Sequence, residues 1–334
     1  MSFTSYIPAL FVFSSICCIN KGNDNASSAY NNTFAEVADT SILDKQDLKS
    51  IYQLADILRE NYVFEDMAES MHDTLHYYVN KGKFNGMGKD EISAFIHELL
   101  RGMTHDKHLR IVSSRDNNRP PVERYRPENH EQGIGYLEMG DDSIGYWEIT
   151  AFEDFNKKTK QHIAQQFALS TNAKALILDL SENRGGHPSS VQYLCSFLFP
   201  EGEEVLLNSL YFRNRDQKTD FYTLDNDIGS RIPDLPVYII VSEKTFSAAE
   251  EFTYNLKTRK RAVIVGKTTG GGAHPVHLYT LKNDMVAIVP EGRAINPITQ
   301  DNWEGKGISP DIEVDPVNAK QAILNHYWTT STSK

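Results

Sequence analysis

The strongest constraint in this chain is a junction. Leu235-Pro236-Val237-Tyr238-Ile239-Ile240-Val241 is a continuous apolar, β-rich run, the pattern of a strand covered on both faces. Thr245-Phe246-Ser247-Ala248-Ala249-Glu250 follows, and from there Ala248, Phe252 and Leu256 recur at helical spacing. Ser247 therefore stands where a strand gives way to a helix, beside backbone N–H groups that have no partner within the helix. Two readings are open. Ser247, or Thr245, is an N-cap, or the Ser247 hydroxyl reacts and the adjacent N–H groups hold an oxyanion.

The same pattern occurs earlier. Ala173 to Leu180 reads as a buried strand, Ser181-Glu182-Asn183-Arg184-Gly185-Gly186 as a turn, and Pro188 to Phe199 as a helix with proline in its first turn. Ala262 to Val265 is a further short strand. Repeated β/α units predict an α/β fold with a mainly parallel sheet covered by helices. Ile134–Met139 and Ile144–Ile149 alternate as strands, and Phe152–Leu169 as an amphipathic helix. Gly266 to Gly272 reads as a flexible turn over a cleft, Val276–Leu281 and Met285–Val289 as a hairpin, and Ile312 as part of a last short strand. Upstream, residues 42–103 read as three helices, the first starting at Asp44. The pattern turns strand-like at Leu109, which puts His108 at a helix-to-strand junction. The polar stretch 113–132 reads as a loop.

A net charge of −11 with no basic block excludes nucleic acid and anionic membrane as main partners. Gly185-Gly186 lets backbone N–H groups face a ligand without side-chain obstruction. It is neither a dinucleotide fingerprint nor a P-loop, so no nucleotide and no cofactor is expected. His105 and His108 lack a third ligand nearby, so no metal site is expected either. Cys17, Cys18 and Cys195 form no disulfide framework. Residues 1–20 carry no charge, and Ile7 to Cys18 is an apolar run of signal-peptide length, too short to span a bilayer. The expectation is export, with membrane attachment only through a lipid on Cys17 or Cys18. Residues 21–41 read as a flexible linker, with glycosylation triplets at Asn25 and Asn31. The remaining partition is a helical region at 42–112, a β/α core at 133–316 and a tail at 317–334.

Four segments occur in a recognisable order: Leu176-Ile177-Leu178-Asp179-Leu180 with Asn183-Arg184-Gly185-Gly186; Thr245-Phe246-Ser247-Ala248-Ala249-Glu250; Arg261 to Gly266; and Asn296-Pro297 through Trp303-Glu304-Gly305 to Gly307-Ile308-Ser309-Pro310-Asp311. Together they resemble the tail-specific (C-terminal processing) serine proteases over roughly residues 134–316, and more weakly over 42–112. The likeness is greatest to the branch containing the tricorn core and the repeats of interphotoreceptor retinoid-binding protein. The resemblance implies a crotonase/ClpP-like β/α spiral core with a small N-terminal helical domain. Two departures stand out. Gly272 occupies the position at which the bacterial processing proteases carry a lysine base. The segment between Val112 and Ile134 is too short for a PDZ domain.

The resemblance further implies Ser247 as nucleophile, His108 as base and Glu304 as the orienting carboxylate, with Ala248 and Gly185 or Gly186 as oxyanion donors. Trp303 beside Glu304 would shield it from water. The implied activity is that of a serine peptidase acting on a peptide or unfolded protein through an acyl-enzyme. The rival is a non-catalytic module binding a hydrophobic ligand or peptide on the same fold, and a third reading is a scaffold recruiting partners through its N-terminal helices.

Overall fold

The computed structural model describes residues 43–113, 127–225 and 228–331. The segments at 1–20 and 21–41, with Cys17, Cys18, Asn25 and Asn31, fall outside these residues, as does most of the loop at 113–132. Among the described residues, no helix is long and apolar enough to cross a membrane.

Three helices come first: α1 (Lys45–Asn61), α2 (Glu65–Asn80) and α3 (Lys89–Thr104). Asp44 starts α1 as expected, its side chain accepting from Gln46 N–H at 2.7 Å. Next are β1 (Arg110–Val112), β2 (Glu138–Met139), β3 (Ile144–Glu148), α4 (Lys157–Ser170), β4 (Ala175–Asp179) and α5 (Pro188–Ser196). Then follow β5 (Leu206–Phe212), β6 (Gln217–Tyr222), β7 (Val237–Val241), α6 (Ala248–Thr258) and β8 (Val263–Gly266). The chain continues with β9 (Val276–Thr280), β10 (Val286–Pro290), β11 (Gly292–Ile295), β12 (Ile312–Glu313) and α7 (Pro316–Ser331).

The predicted parallel sheet is the central one, ordered β12-β8-β7-β4-β3-β2 and parallel throughout except for the antiparallel β2–β3 edge. Its middle strands explain their unbroken apolar sequence. Leu176, Leu178, Ile239 and Val241 join one core with Phe167, Leu194 and Phe252. Ala175, Ile177, Tyr238 and Ile240 alternate into a second core with Ala319 and Ile323. Those last two residues belong to α7, so the stretch 317–334 is not a tail through most of its length. It carries the helix that covers the second face of the sheet.

Two smaller three-stranded sheets complete the fold, ordered β1-β10-β9 and β11-β5-β6. The β9–β10 hairpin matches expectation. The β5–β6 hairpin is unanticipated, because Leu206 to Phe212 lacks clean alternation. Helix α4 begins later than Phe152, because Phe152 instead pairs with Gly186 as an isolated bridge. Asn156 caps the helix by accepting from Thr159 N–H at 3.0 Å. The N-terminal helices do not own their core. Leu54, Leu58, Met71 and Ile96 pack with Leu281, Met285, Ala287 and Val289 from the distant hairpin.

Candidate active site

Adjacent parallel strands β4 and β7 deliver two turns to the same edge of the sheet. Thr245 ties them together: its hydroxyl donates to Leu180 C=O at 2.8 Å and accepts from Ser242 N–H at 2.9 Å. Phe246 N–H donates to Asn183 C=O at 3.1 Å. This bracing holds Ser247 at φ 55, ψ −122, a conformation that costs a non-glycine residue about 1–3 kcal/mol. No hydrogen bond from a helix N–H to the Ser247 hydroxyl is formed among the described residues, while the Ser247 N–H is held by Glu250, the reciprocal half of a capping box.

Glu250 supports the turn from within. It is fully buried. Its Oε2 accepts Ser247 N–H at 2.9 Å and Gly272 N–H at 2.9 Å, and its Oε1 accepts Gly271 N–H at 2.7 Å and the Thr269 hydroxyl at 2.5 Å. Burial pushes its pKa up to about 7 against these bonds, which lower it. The stretch expected as a flexible turn is therefore a fixed wall, with Gly271, Gly272 and Ala273 buried.

Ser247, Ala248, Gly186, His108, His274 and Glu251 line one cavity of about 320 Å³. The expected oxyanion donors divide. Gly185 N–H donates to Asn183 Oδ1 at 2.8 Å and is committed there. No hydrogen bond among the described residues uses Ala248 N–H or Gly186 N–H, and both residues face the cavity. Gly185 has a different reason to be glycine. A Cβ there would lie 2.8 Å from Ser247 Cβ and 2.7 Å from Phe246 O.

His108 lies across the cavity, its ring 4.6 Å from that of Phe246. Its backbone N–H donates to Asp106 Oδ1 at 2.9 Å. Burial pushes its pKa down to about 4, with the charge of Asp106 opposing. Gly272 makes room for this ring: a Cβ there would meet Phe246 Cζ at 2.2 Å and His108 Cε1 at 2.6 Å. Glu304 comes to the same place. Its Oε2 accepts Ala273 N–H at 2.5 Å, while Trp303 Nε1 donates to Gly272 C=O at 2.7 Å. Burial raises the Glu304 pKa. His108 Nδ1 and Glu304 Oε1 are both buried without a hydrogen-bond partner. Lys107 Nζ donates to Gly270 C=O at 2.5 Å.

Two residues at this site were not singled out in the sequence. His274 Nδ1 lies 2.7 Å from Asp106 Oδ2 and 3.5 Å from Glu304 Oε2. Burial alone would raise Asp106, but the His274 hydrogen bond and charge, with the His108 N–H, hold its pKa below the usual carboxylate range. The signal for Asp106 was its place two residues before His108. His274 follows the glycine run without a spacing that marks it. Asp106, His108 and Glu304 each offer a ligand atom within 4.8 Å of the others. The Asp106 oxygens and Glu304 Oε2 already accept protein donors. A second such group, Glu69, His72 and Asp73, lies on α2.

The comparisons agree with this architecture. The profile of Peptidase family S41 matches residues 143–314. A protein named "Probable CtpA-like serine protease" from Staphylococcus aureus is 24% identical over 264 residues, covering 77% of this chain and 48% of that protein. The chain thus spans about half the length of the curated relatives it matches. Among solved structures, the photosystem II D1 C-terminal processing protease superposes with a TM-score of 0.56 at 14% identity, over 82% of this chain and 94% of that one. The tricorn protease does so with a TM-score of 0.52 at 15% identity, over 82% of this chain and 35% of that one. Both likenesses are of fold. The profile match spans more than half of the residues, and on that ground the chain belongs to peptidase family S41.

Proposed function

We propose that this protein is a serine peptidase that hydrolyses peptide bonds through an acyl-enzyme. One observation carries the reading: the strained Ser247 turn, the His108 imidazole and the uncommitted N–H groups of Ala248 and Gly186 all face one cavity. Ser247 Oγ attacks the scissile carbonyl as His108 takes its proton. The Ala248 and Gly186 N–H groups receive the oxyanion, and losing one such donor costs about 3 kcal/mol of barrier. His108 then protonates the leaving amine, and water releases the acyl group by the same path in reverse. Burial keeps His108 neutral at pH 7, the form a base requires. Glu304 steadies the imidazolium. One carboxylate oxygen of Glu304 and one ring nitrogen of His108 lie within 4.8 Å of each other, a span that one water bridges. The substrate is a peptide or an unfolded protein segment.

The test is a fluorophosphonate probe together with cleavage of unstructured peptides. The wild-type protein is expected to be labelled at Ser247 and to cleave. Ser247→Ala is expected to lose both while keeping its melting temperature. Cleavage that persists in Ser247→Ala sinks the assignment. Wild-type protein that is neither labelled nor active, yet binds peptide, is a binding module.

A further inference from the structure

The cavity beside Ser247 holds an acid that the peptidase mechanism does not use. Glu251 lies in the first turn of α6, four residues after Ser247, and both residues line the cavity. Glu251 is 5% exposed. Among the described residues it forms no ion pair, although lysines elsewhere pair with carboxylates. The Asn208 amide is a polar neighbour, fully buried and with no hydrogen-bond partner at either end, and the buried Cys195 thiol lies within reach of the Glu251 charge. Asn208 and Leu210 are two apart on β5 and so share a face of the strand, and Leu210 also lines the cavity. The cavity is lined as well by apolar Pro188, Ala273, Ala294 and Trp303, alongside His187 and His274.

A carboxyl group kept out of water and given no cation is costly, and such groups are normally paired. Here the missing partner has a route in, because the carboxyl faces a cavity open to ligand. The shape also selects. A cavity that combines apolar wall with a buried acid fits a side chain with an apolar stem and a charged tip. Lysine and arginine have that form. We infer that Glu251, with Asn208 beside it, forms the base of a specificity pocket that takes a cationic Lys or Arg side chain of the peptide next to the scissile bond. The inference rests on the peptidase reading for the identity of the ligand as a peptide. An incoming ammonium or guanidinium would donate to the carboxylate, and its stem would cover Leu210, Ala294 and Trp303. Burial holds the Glu251 pKa up at about 8. A bound cation favours the ionised form and lowers that value.

The experiment measures binding rather than turnover, so that it stands apart from the chemistry. Fluorescein-labelled peptides carrying a single lysine, or the isosteric neutral norleucine, are titrated into Ser247→Ala protein at pH 8.5 and followed by anisotropy. The lysine peptide is expected to bind at least about tenfold tighter, the scale of one partly desolvated charge pair. Adding Glu251→Gln is expected to remove the difference. Glu251→Gln keeps the shape and removes a buried ionisable group, so its melting temperature at pH 8.5 is expected to match or exceed that of its parent. Equal binding of the two peptides, or a lysine preference that survives Glu251→Gln, overturns the inference. So does tighter binding of a free C-terminal carboxylate than of its amide through Glu251, which would make the group a neutral donor. Failure of the wild-type protein to cleave or to take the fluorophosphonate probe would instead count against the peptidase reading alone.

Discussion

Ser247 and His108 come from opposite ends of the fold, and each is prepared by burial and backbone geometry rather than by its neighbours in sequence. The serine is held at a positive φ, and Glu250 accepts its N–H as one half of a capping box. The histidine is pressed into an apolar contact with Phe246 and loses basicity for that reason. The consequence for pH dependence has a definite sign. In its proposed role as base, His108 works only when unprotonated, so the rate should fall as pH drops through about 4, its depressed value. It should stay flat between there and neutrality as far as His108 is concerned. The kcat/KM profile for a neutral peptide checks this, with folding followed by circular dichroism at each pH. An acid limb well above that value would move the role of base away from His108, and His274, held on Asp106 in the same cavity, is the one to substitute next. The same depressed value bears on stability. The unfolded chain binds the His108 proton below about 6.5 and the folded chain only below about 4. This group's contribution is therefore present above 6.5 and lost as pH falls to 4.

At the level of elements, the wall made by residues 270–273 decides where the imidazole can lie. Glu250 pins its backbone, and Gly272 leaves the gap into which Phe246 and His108 fit. Gly272→Ala should therefore cost about 1–3 kcal/mol through overpacking and lower kcat by roughly a hundredfold, since small misplacements of a catalytic group cost that much. Phe246→Leu in the same protein should recover part of the stability. A Gly272→Ala protein with unchanged melting temperature and rate would refute this account of the wall. The strand–turn–helix units at Ala175–Ser196 and Val237–Thr258 were legible in sequence because strands buried on both faces read as unbroken apolar runs. Ser247, Ala248, Gly185, Gly186, His108 and Glu304 were named from pattern and resemblance; of these, Ser247, Ala248, Gly186 and His108 line one cavity, and Glu304 offers an oxygen within 4.8 Å of a His108 nitrogen. What sequence could not carry was hydrogen-bond commitment. That Gly185 N–H is spent on Asn183, that Lys107 is spent on Gly270, and that Asp106 joins His274 all depend on contacts between distant segments. The β5–β6 hairpin was missed because Asn208 and Ser209 are buried polar residues inside the strand and break its alternation.

On the scale of the whole chain, the helical region and the β/α core are not separable parts. The helices α1 to α3 bury their apolar stripes on β1 and on the β9–β10 hairpin, which lies far along the sequence. Polar contacts repeat the link: Asn283 N–H donates to Ser50 Oγ at 2.8 Å, and Val63 N–H to Pro290 C=O at 2.9 Å. The same hairpin continues from the wall that carries His274, and β1 begins two residues after His108. Formation of the helical core and alignment of the two histidines with Ser247 are thus one event. Residues 43–113 expressed alone would expose the helix faces that Leu281, Met285, Ala287 and Val289 cover, and should show no cooperative thermal transition. In the full chain, Met285→Ala should cost about 2–5 kcal/mol, as expected for a large side chain removed from a sealed core. It should also lower the melting temperature of the whole molecule in a single step. Calorimetry distinguishes the outcomes. Two separate transitions, with only the lower one moved by Met285→Ala, would mean that the helices fold as a unit of their own and that the site is assembled by docking.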